Sequence, residues 1–184
     1  MELFPAAIGA DFATAEDSMG VRFARPEDAD ILFTILADLN IPFVVDRPAA
    51  AAEVGAWIAD MEESAGAPLP RRVLLFAIEL DGAVVGVLTA DLAHRSADGI
   101  DEGTIASVEY VAYLRPEARG QGLVRRAIPL LEPKLVSHFG IDRVFAVVDD
   151  TNEHALKAIA GFTRITPVGD GKSLYRRPVI GPRE

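Results

Sequence analysis

The sequence predicts an α+β fold, a mixed and mostly antiparallel central sheet flanked by helices. Three observations carry that prediction. Two β-rich apolar runs, "RRVLLFAIEL" and "AVVGVLTADLA", meet at Asp81-Gly82, a pair suited to the positive φ of a tight hairpin turn. Two segments with one apolar face at helical spacing precede that hairpin. After it, a strand, a glycine turn, a helix and another strand follow in order, which makes one parallel crossover.

Taken along the chain, residues 1–20 form an N-terminal extension with neither a basic start nor a long apolar run, and residues 21–184 form a single domain. "VRFA" opens the sheet. The first helix lies in "RPEDADILFTILADLN", with Pro26 suited to a first helical position and Glu27, Asp28 and Asp30 near the positive end of its dipole. Ile31, Leu32, Ile35, Leu36 and Leu39 share its apolar face. A second helix follows "DRP", where Val54, Trp57, Ile58 and Met61 recur at helical spacing, so the one Trp is a core anchor. "SAGAPLP" ends it. Beyond the hairpin, "HRSADGIDEG" is a polar loop and "TIASVEYVAYL" the next strand. The third helix starts near Leu123 and is bent or shortened by Pro129 and Pro133. "RVFAVV" is a strand, "NEHALKAIA" a short helix, and "FTRIT" with "SLYRR" a final hairpin.

Composition excludes several functions. The chain has 184 residues, no cysteine and three histidines. The absence of cysteine removes a disulfide scaffold, a thiolate zinc site and a cysteine nucleophile. His94, His138 and His154 are widely spaced without a ligand pattern, so no metal is expected. A net charge of −10 argues against nucleic-acid binding, which gathers cations on the phosphate backbone. No apolar run reaches membrane length, and a cytoplasmic location is expected.

"LRPEARGQGLVRRAI" carries the chemistry. Gly120 and Gly122 let the backbone curl, and the amides of Gln121, Leu123 and Val124 then point from a helix N-terminus. Such a nest accepts an anion, with charge-assisted contacts from Arg119, Arg125 or Arg126. An ordinary strand-to-helix turn is the alternative.

With those residues the chain resembles the GCN5-related N-acetyltransferase (GNAT) superfamily over roughly Val21 to Arg176. "LRPEARGQGL" is similar to the family's strand end and its Q/R-x-x-G-x-G/A loop, with Arg119 in the Q/R place and Gly122 in the first glycine place. Val124 stands where the family usually has Gly or Ala. The resemblance implies a sheet with a splayed strand pair forming an acyl-CoA cleft. It also implies acetyl-CoA (coenzyme A) as co-substrate, its pyrophosphate on Arg119, Gly120, Gln121, Gly122, Leu123, Val124 and Arg125. Val111, Tyr113 and Leu114 would line the pantetheine slot, opened by a bulge near Val111 or Ala112. "DDTNEHALKAIAGFTRI" is similar to a later family segment and places Asn152 on the pantetheine arm. Ile159 lies near the place where the family often has a tyrosine that protonates the departing thiolate. A homodimer through the C-terminal strands is implied by the resemblance alone.

Acetyl transfer to a primary amine needs a base, a held nitrogen and an aligned N–H donor for the oxyanion. Glu109 is the candidate base. It is equally a solvated strand residue paired with a cation if the register turns it to the other face. Tyr110, Tyr113 and Tyr175 are candidate acids or simply packed aromatics. Asp38, Asp46 and Asp60 would attract a cationic small-molecule or protein amine, or merely keep helical faces wet. Two functions stand: an acetyl-CoA-dependent N-acetyltransferase working in a ternary complex, and a non-catalytic acyl-CoA-binding or sensing domain.

Overall fold

The structure, a computed structural model, describes residues 14–38, 47–64, 71–99 and 101–179. Asp46, most of "LNIPFVVDRP" and the greater part of the N-terminal extension lie outside those residues. The strands are β1 (Thr14–Glu16), β2 (Met19–Phe23), β3 (Arg71–Leu80), β4 (Ala83–Arg95), β5 (Ile105–Leu114), β6 (Arg143–Asp149), β7 (Thr163–Gly169) and β8 (Lys172–Pro178). The α-helices are α1 (Ala29–Ala37), α2 (Ala51–Ser64), α3 (Leu123–Phe139) and α4 (Glu153–Ala158). All eight strands form one sheet in the order β1-β2-β3-β4-β5-β6-β8-β7. Only β5 and β6 run parallel, joined through α3.

The hairpin at Asp81-Gly82 forms as the turn chemistry dictates, with positive φ at both residues. The sheet begins earlier than the sequence indicated. Thr14–Glu16 pairs with Met19–Val21, turning at Asp17 in a left-handed conformation. A three-residue strand flanked by acids carries too little periodicity to be seen in one sequence.

Alternation sorts the side chains onto two faces. Leu74, Phe76, Leu88, Ala90, Leu92 and Val108 are fully buried on the face covered by α3, and Phe23 stacks on Phe76 with ring centres 4.8 Å apart. The Arg72 guanidinium lies over Phe139 at the end of α3, 5.2 Å from the ring centre. On the other face Leu75, Ala77 and Val87 are buried as well, and α1 and α2 lie against β3 and β4. Leu32, Ile35, Leu36, Val54, Ile58 and Met61 are the buried positions of those two helices, the predicted apolar faces, with Trp57 packed at their margin.

Helix α3 corrects one expectation. It runs unbroken through Pro129 and Pro133 for 17 residues. The two prolines are one helical turn apart on the outward side, where Arg125 and Pro129 are exposed. Water can reach the carbonyls of Arg125 and Pro129, which have lost their donors, and this lowers the cost of each missing bond. Gly140, at φ 63°, ends the helix and its N–H donates to Val136 O at 2.9 Å, the usual left-handed stop.

Two ionic ties fix the frame. Arg22 on β2 makes a fork to Asp28, with Nη1 2.6 Å from Oδ2 and Nη2 3.0 Å from Oδ1, and its Nε reaches Glu79 at 2.8 Å. Asp28 also accepts the Arg25 N–H at 2.7 Å. Burial alone would raise the Asp28 carboxyl, but the Arg22 and Arg25 hydrogen bonds outweigh it and hold the group below its ordinary value. The second tie joins Glu132 of α3, 1 % exposed, to Arg177 of β8 in a bidentate pair.

Because the Asp28 pKa is depressed on folding, its contribution is present above the ordinary carboxylate value of about 4 and is lost as pH falls through the folded value. Asp28→Asn should therefore cost about 1–3 kcal/mol at pH 7, and the gap to wild type should narrow below about pH 4. Urea melts of both proteins across pH 3–8 check this.

Candidate functional site

The site is built where β5 and β6 part. Their ladder consists of Ser107↔Arg143, Val108↔Val144 and Glu109↔Phe145, and then stops. Each strand keeps its outer partner along its whole length, β5 on β4 and β6 on β8. A gap therefore opens between Tyr110–Leu114 and Ala146–Asp149. The expected bulge near Val111 or Ala112 is absent. The β4–β5 register is one-to-one from Gly86↔Leu114 to Arg95↔Ile105, and the only shift among these strands lies between Ile78 and Glu79 of β3. Divergence of β6 alone opens the gap.

Backbone direction follows from two hydrogen bonds. Arg115 N donates to Val85 O at 2.9 Å, so odd-numbered residues of β5 turn their backbone groups toward β4. Asp142 N donates to Ala106 O at 2.8 Å, so even-numbered residues turn theirs toward β6. Tyr110, Ala112 and Leu114 thus present N–H and C=O to the gap. The Leu114 carbonyl accepts Arg119 Nε at 3.0 Å. Tyr113 and Val111 are corrected: their backbone groups serve β4, and Thr89 Oγ1 donates to Val111 O at 3.3 Å. Ala112, named from the sequence only as a bulge position, turns its backbone groups away from β4 instead. A single strand cannot reveal which of its backbone edges a neighbour will claim.

At the mouth of the gap, Gly120 and Gly122 adopt φ 75° and 71°, and Gly122 caps α3. The first intrahelical bond is Arg126 N to Gly122 O at 3.1 Å, so the amides of Leu123, Val124 and Arg125 precede the ladder and face outward along the dipole. Arg119 and Arg125 are exposed beside them, and Arg119 Nη2 lies 4.0 Å from Asp38 Oδ2. Gln121 is tied back, its Nε2 donating to Glu117 O at 3.0 Å. Val124 is half-buried against the core. This is a positive, backbone-lined cradle for an anion.

Glu109 is the last β5 residue paired to β6, and its side chain lies on the face away from α3, 18 % exposed. Its Oε2 accepts Arg95 Nη2 at 2.9 Å, the pairing with a cation that the second sequence reading described. Arg95 was assigned to a loop, but β4 runs through His94 and Arg95. Asp91 stands directly across from Glu109 on β4.

Of the candidate acids, Tyr110 points to the α3 face, where its hydroxyl is buried with no hydrogen-bond partner among the described residues. Burial, and then the Glu132 charge, push that hydroxyl well above its ordinary value, with Arg177 opposing. Tyr175 donates to Asp150 Oδ1 at 3.3 Å; desolvation and then Asp150 push it up as well. Tyr113 is half-buried against the core. Asn152 caps α4, its Oδ1 accepting Ala155 N at 3.1 Å, which leaves its amide group for other contacts. Ile159 ends that six-residue helix, and no tyrosine lies in it. Among the described residues no cluster of three or more His, Asp or Glu is placed for a metal, and no helix is long and apolar enough to cross a membrane.

Residues 19–162 match the acetyltransferase (GNAT) domain, and the chain belongs to that family. No curated protein matches it. Among solved structures it is similar to the ribosomal-protein-S5-alanine acetyltransferase of Vibrio fischeri, at 15 % identity and TM-score 0.69, covering 90 % of this chain and 96 % of that one. RimJ of Mycobacterium smegmatis, in complex with CoA-disulfide, is 21 % identical with TM-score 0.64, over 87 % and 81 %. For yncA of Salmonella typhimurium, solved with acetyl-CoA, the values are 18 % and 0.64 over 88 % and 94 %.

Tyr110→Phe removes a buried hydroxyl that has no hydrogen-bond partner among the described residues, so it should leave stability unchanged or raise it by up to about 1 kcal/mol. Chemical denaturation of the variant checks this, and a loss above that size would reveal a hidden partner.

Proposed function

We propose that the chain transfers an acetyl group from acetyl-CoA to a primary amine by direct attack within a ternary complex. The observation that carries this reading is the gap between β5 and β6 with an anion cradle at its mouth. An extended, amide-bearing arm with a phosphate end fits such a slot, because the arm can occupy backbone groups of Tyr110, Ala112 and Leu114 that β6 has left. The amides of Leu123, Val124 and Arg125, with Arg119 and Arg125, would hold the phosphates, and the Asn152 amide would contact the arm. The similar structures solved with acetyl-CoA or a coenzyme A disulfide support this assignment.

Acetyl-CoA supplies an acetyl group activated as a thioester. Glu109, at the apex of the gap, takes the proton of the attacking amine, directly or through water. A backbone N–H of Tyr110 or Ala112 faces the carbonyl oxygen as charge develops on it. The C–N bond forms, the C–S bond breaks and the thiolate leaves; no tyrosine of α4 serves as its acid. Acceptors of both kinds, small amines and protein N-termini, are consistent with the family, and a ribosomal-protein acetyltransferase is among the similar structures. A second reading, an acyl-CoA sensor without turnover, is favoured by the absence of a tyrosine near Ile159.

Turnover separates them. Against a polyamine, an arylalkylamine and a peptide with a free N-terminus, the enzyme reading expects thiol release that depends on the amine. Glu109→Gln should lower kcat by about 10²–10⁴-fold while calorimetric affinity for acetyl-CoA stays the same. Gly122→Val should weaken that affinity with little loss of fold. A Cβ at Gly122 meets nothing within 4 Å, and the left-handed φ costs about 1–2 kcal/mol. Tight binding with no amine-dependent release would establish the sensor.

A further inference from the structure

We propose that Val111 and Val147 select the acceptor, favouring a primary amine carried on an alkyl or arylalkyl body; this rests on the transfer reading above. Among the described residues four large apolar side chains stand exposed, Val73, Val111, Val147 and Val168. Two of them flank the gap. Glu109 and Phe145 are partners on the last rung of the ladder, and two residues further along each strand bring Val111 and Val147 to the same side of the sheet. That is the side away from α3, and the two valines stand 39 % and 40 % exposed on its opposite lips.

The same strands are sealed on their other side, where Ala146 and Val148 are each 7 % exposed and the Tyr110 hydroxyl is buried. On the side of the valines the flanks are covered and the middle is open. Leu75 and Val87 are buried where α2 lies against β3 and α1 against β4. Phe145 is buried beneath Gly99, in a loop held by Arg176 through Ala97 O and by Arg95 through Gly99 O at 3.3 Å. Between these flanks lie Val111, Val147 and Thr89, the β4 neighbour of Val111. The Thr89 hydroxyl donates to the Val111 carbonyl at 3.3 Å, so it is engaged with the backbone and the strip is apolar in character. Valine is stiff at χ1, and the lips therefore hold their shape before anything binds.

The place of α3 decides what lies on this strip. Phosphates held at the N-terminus of α3 bring the arm of acetyl-CoA in from the α3 side of the sheet, so an amine that attacks the thioester comes from the opposite side, across the two valines. Its nitrogen is directed into the gap and its carbon body lies over the lips. An apolar body removes the valine surface from water, whereas a polyamine would lay a second charge against it and lose hydration there. Scattered surface valines need no such account. Val168, 45 % exposed on the edge strand β7, borders no gap and supplies the comparison.

The test measures thiol release from acetyl-CoA with ethylamine, butylamine, hexylamine and spermidine, in wild type, V111T, V147T and V168T. Threonine keeps the β-branched shape at exposed strand positions, so the fold is retained. In wild type kcat/KM should rise by about threefold for each methylene that is buried, and hexylamine should exceed spermidine. V111T and V147T should each lower the hexylamine-to-ethylamine ratio by about threefold to tenfold, while calorimetric affinity for acetyl-CoA holds; V168T should keep the wild-type ratio. A wild-type rate that does not rise with chain length, or a ratio unchanged in both lip variants, overturns the assignment. So does a loss of acetyl-CoA affinity in V111T and V147T with the ratio intact, which would give the valines to the arm. A changed sedimentation coefficient with the ratio intact would give them to a second copy of the chain. No thiol release with any of the four amines removes the transfer reading, and this inference with it.

Discussion

A parallel ladder that stops after three rungs governs this structure. Strand β5 satisfies one backbone edge on β4 and β6 one edge on β8, so each is held firmly from outside. Between Ser107–Glu109 and Arg143–Phe145 they also satisfy each other. Beyond that point no strand among the described residues pairs with the inner edge of either, and unpaired backbone groups inside a fold demand another partner. In the function proposed above, that demand is met by the arm that enters the gap.

Holding such a gap open requires bracing on both sides of the sheet. On the α3 face, Glu132 joins Arg177 across from the body of the protein to β8, and Arg177 also lies 5.0 Å from the centre of the Phe162 ring. Breaking a buried pair of this kind typically costs about 3–5 kcal/mol, because one charge is left uncompensated. On the other face, Arg176 grips Ala97 and Gly99 seats on Phe145. The β6–β8–β7 wing is therefore anchored at the base of the gap and diverges only above it. The N-terminus of α3 and its capping glycine lie at the open end, beside the exposed Arg119 and Arg125.

Much of this was legible in the sequence. Asp81-Gly82 fixed the central hairpin, glycine spacing marked the start of α3, and the apolar periodicities of α1 and α2 named their buried faces. The family followed from "LRPEARGQGL" together with element order. Three things were hidden, each for a physical reason. Pro129 and Pro133 suggested a break, but one-turn spacing on the solvent side spared the helix. Arg95 read as loop because its neighbours are polar, although hairpin register carries β4 onward until β5 runs out. The backbone edge of β5 depends on which neighbour pairs first, so the sequence could not show that Val111 and Tyr113 turn toward β4 and Ala112 away from it. The same parity decides that Glu109 and Tyr110, adjacent in sequence, serve opposite faces.

The most direct measurement is a crystal structure of the full chain with coenzyme A bound. The account predicts the pantetheine arm lying between Tyr110–Leu114 and Ala146–Asp149, hydrogen-bonded to the backbone of Ala112, with the pyrophosphate on the amides of Leu123, Val124 and Arg125. A ligand bound elsewhere, or β5 and β6 zipped together past Glu109 and Phe145, would contradict it.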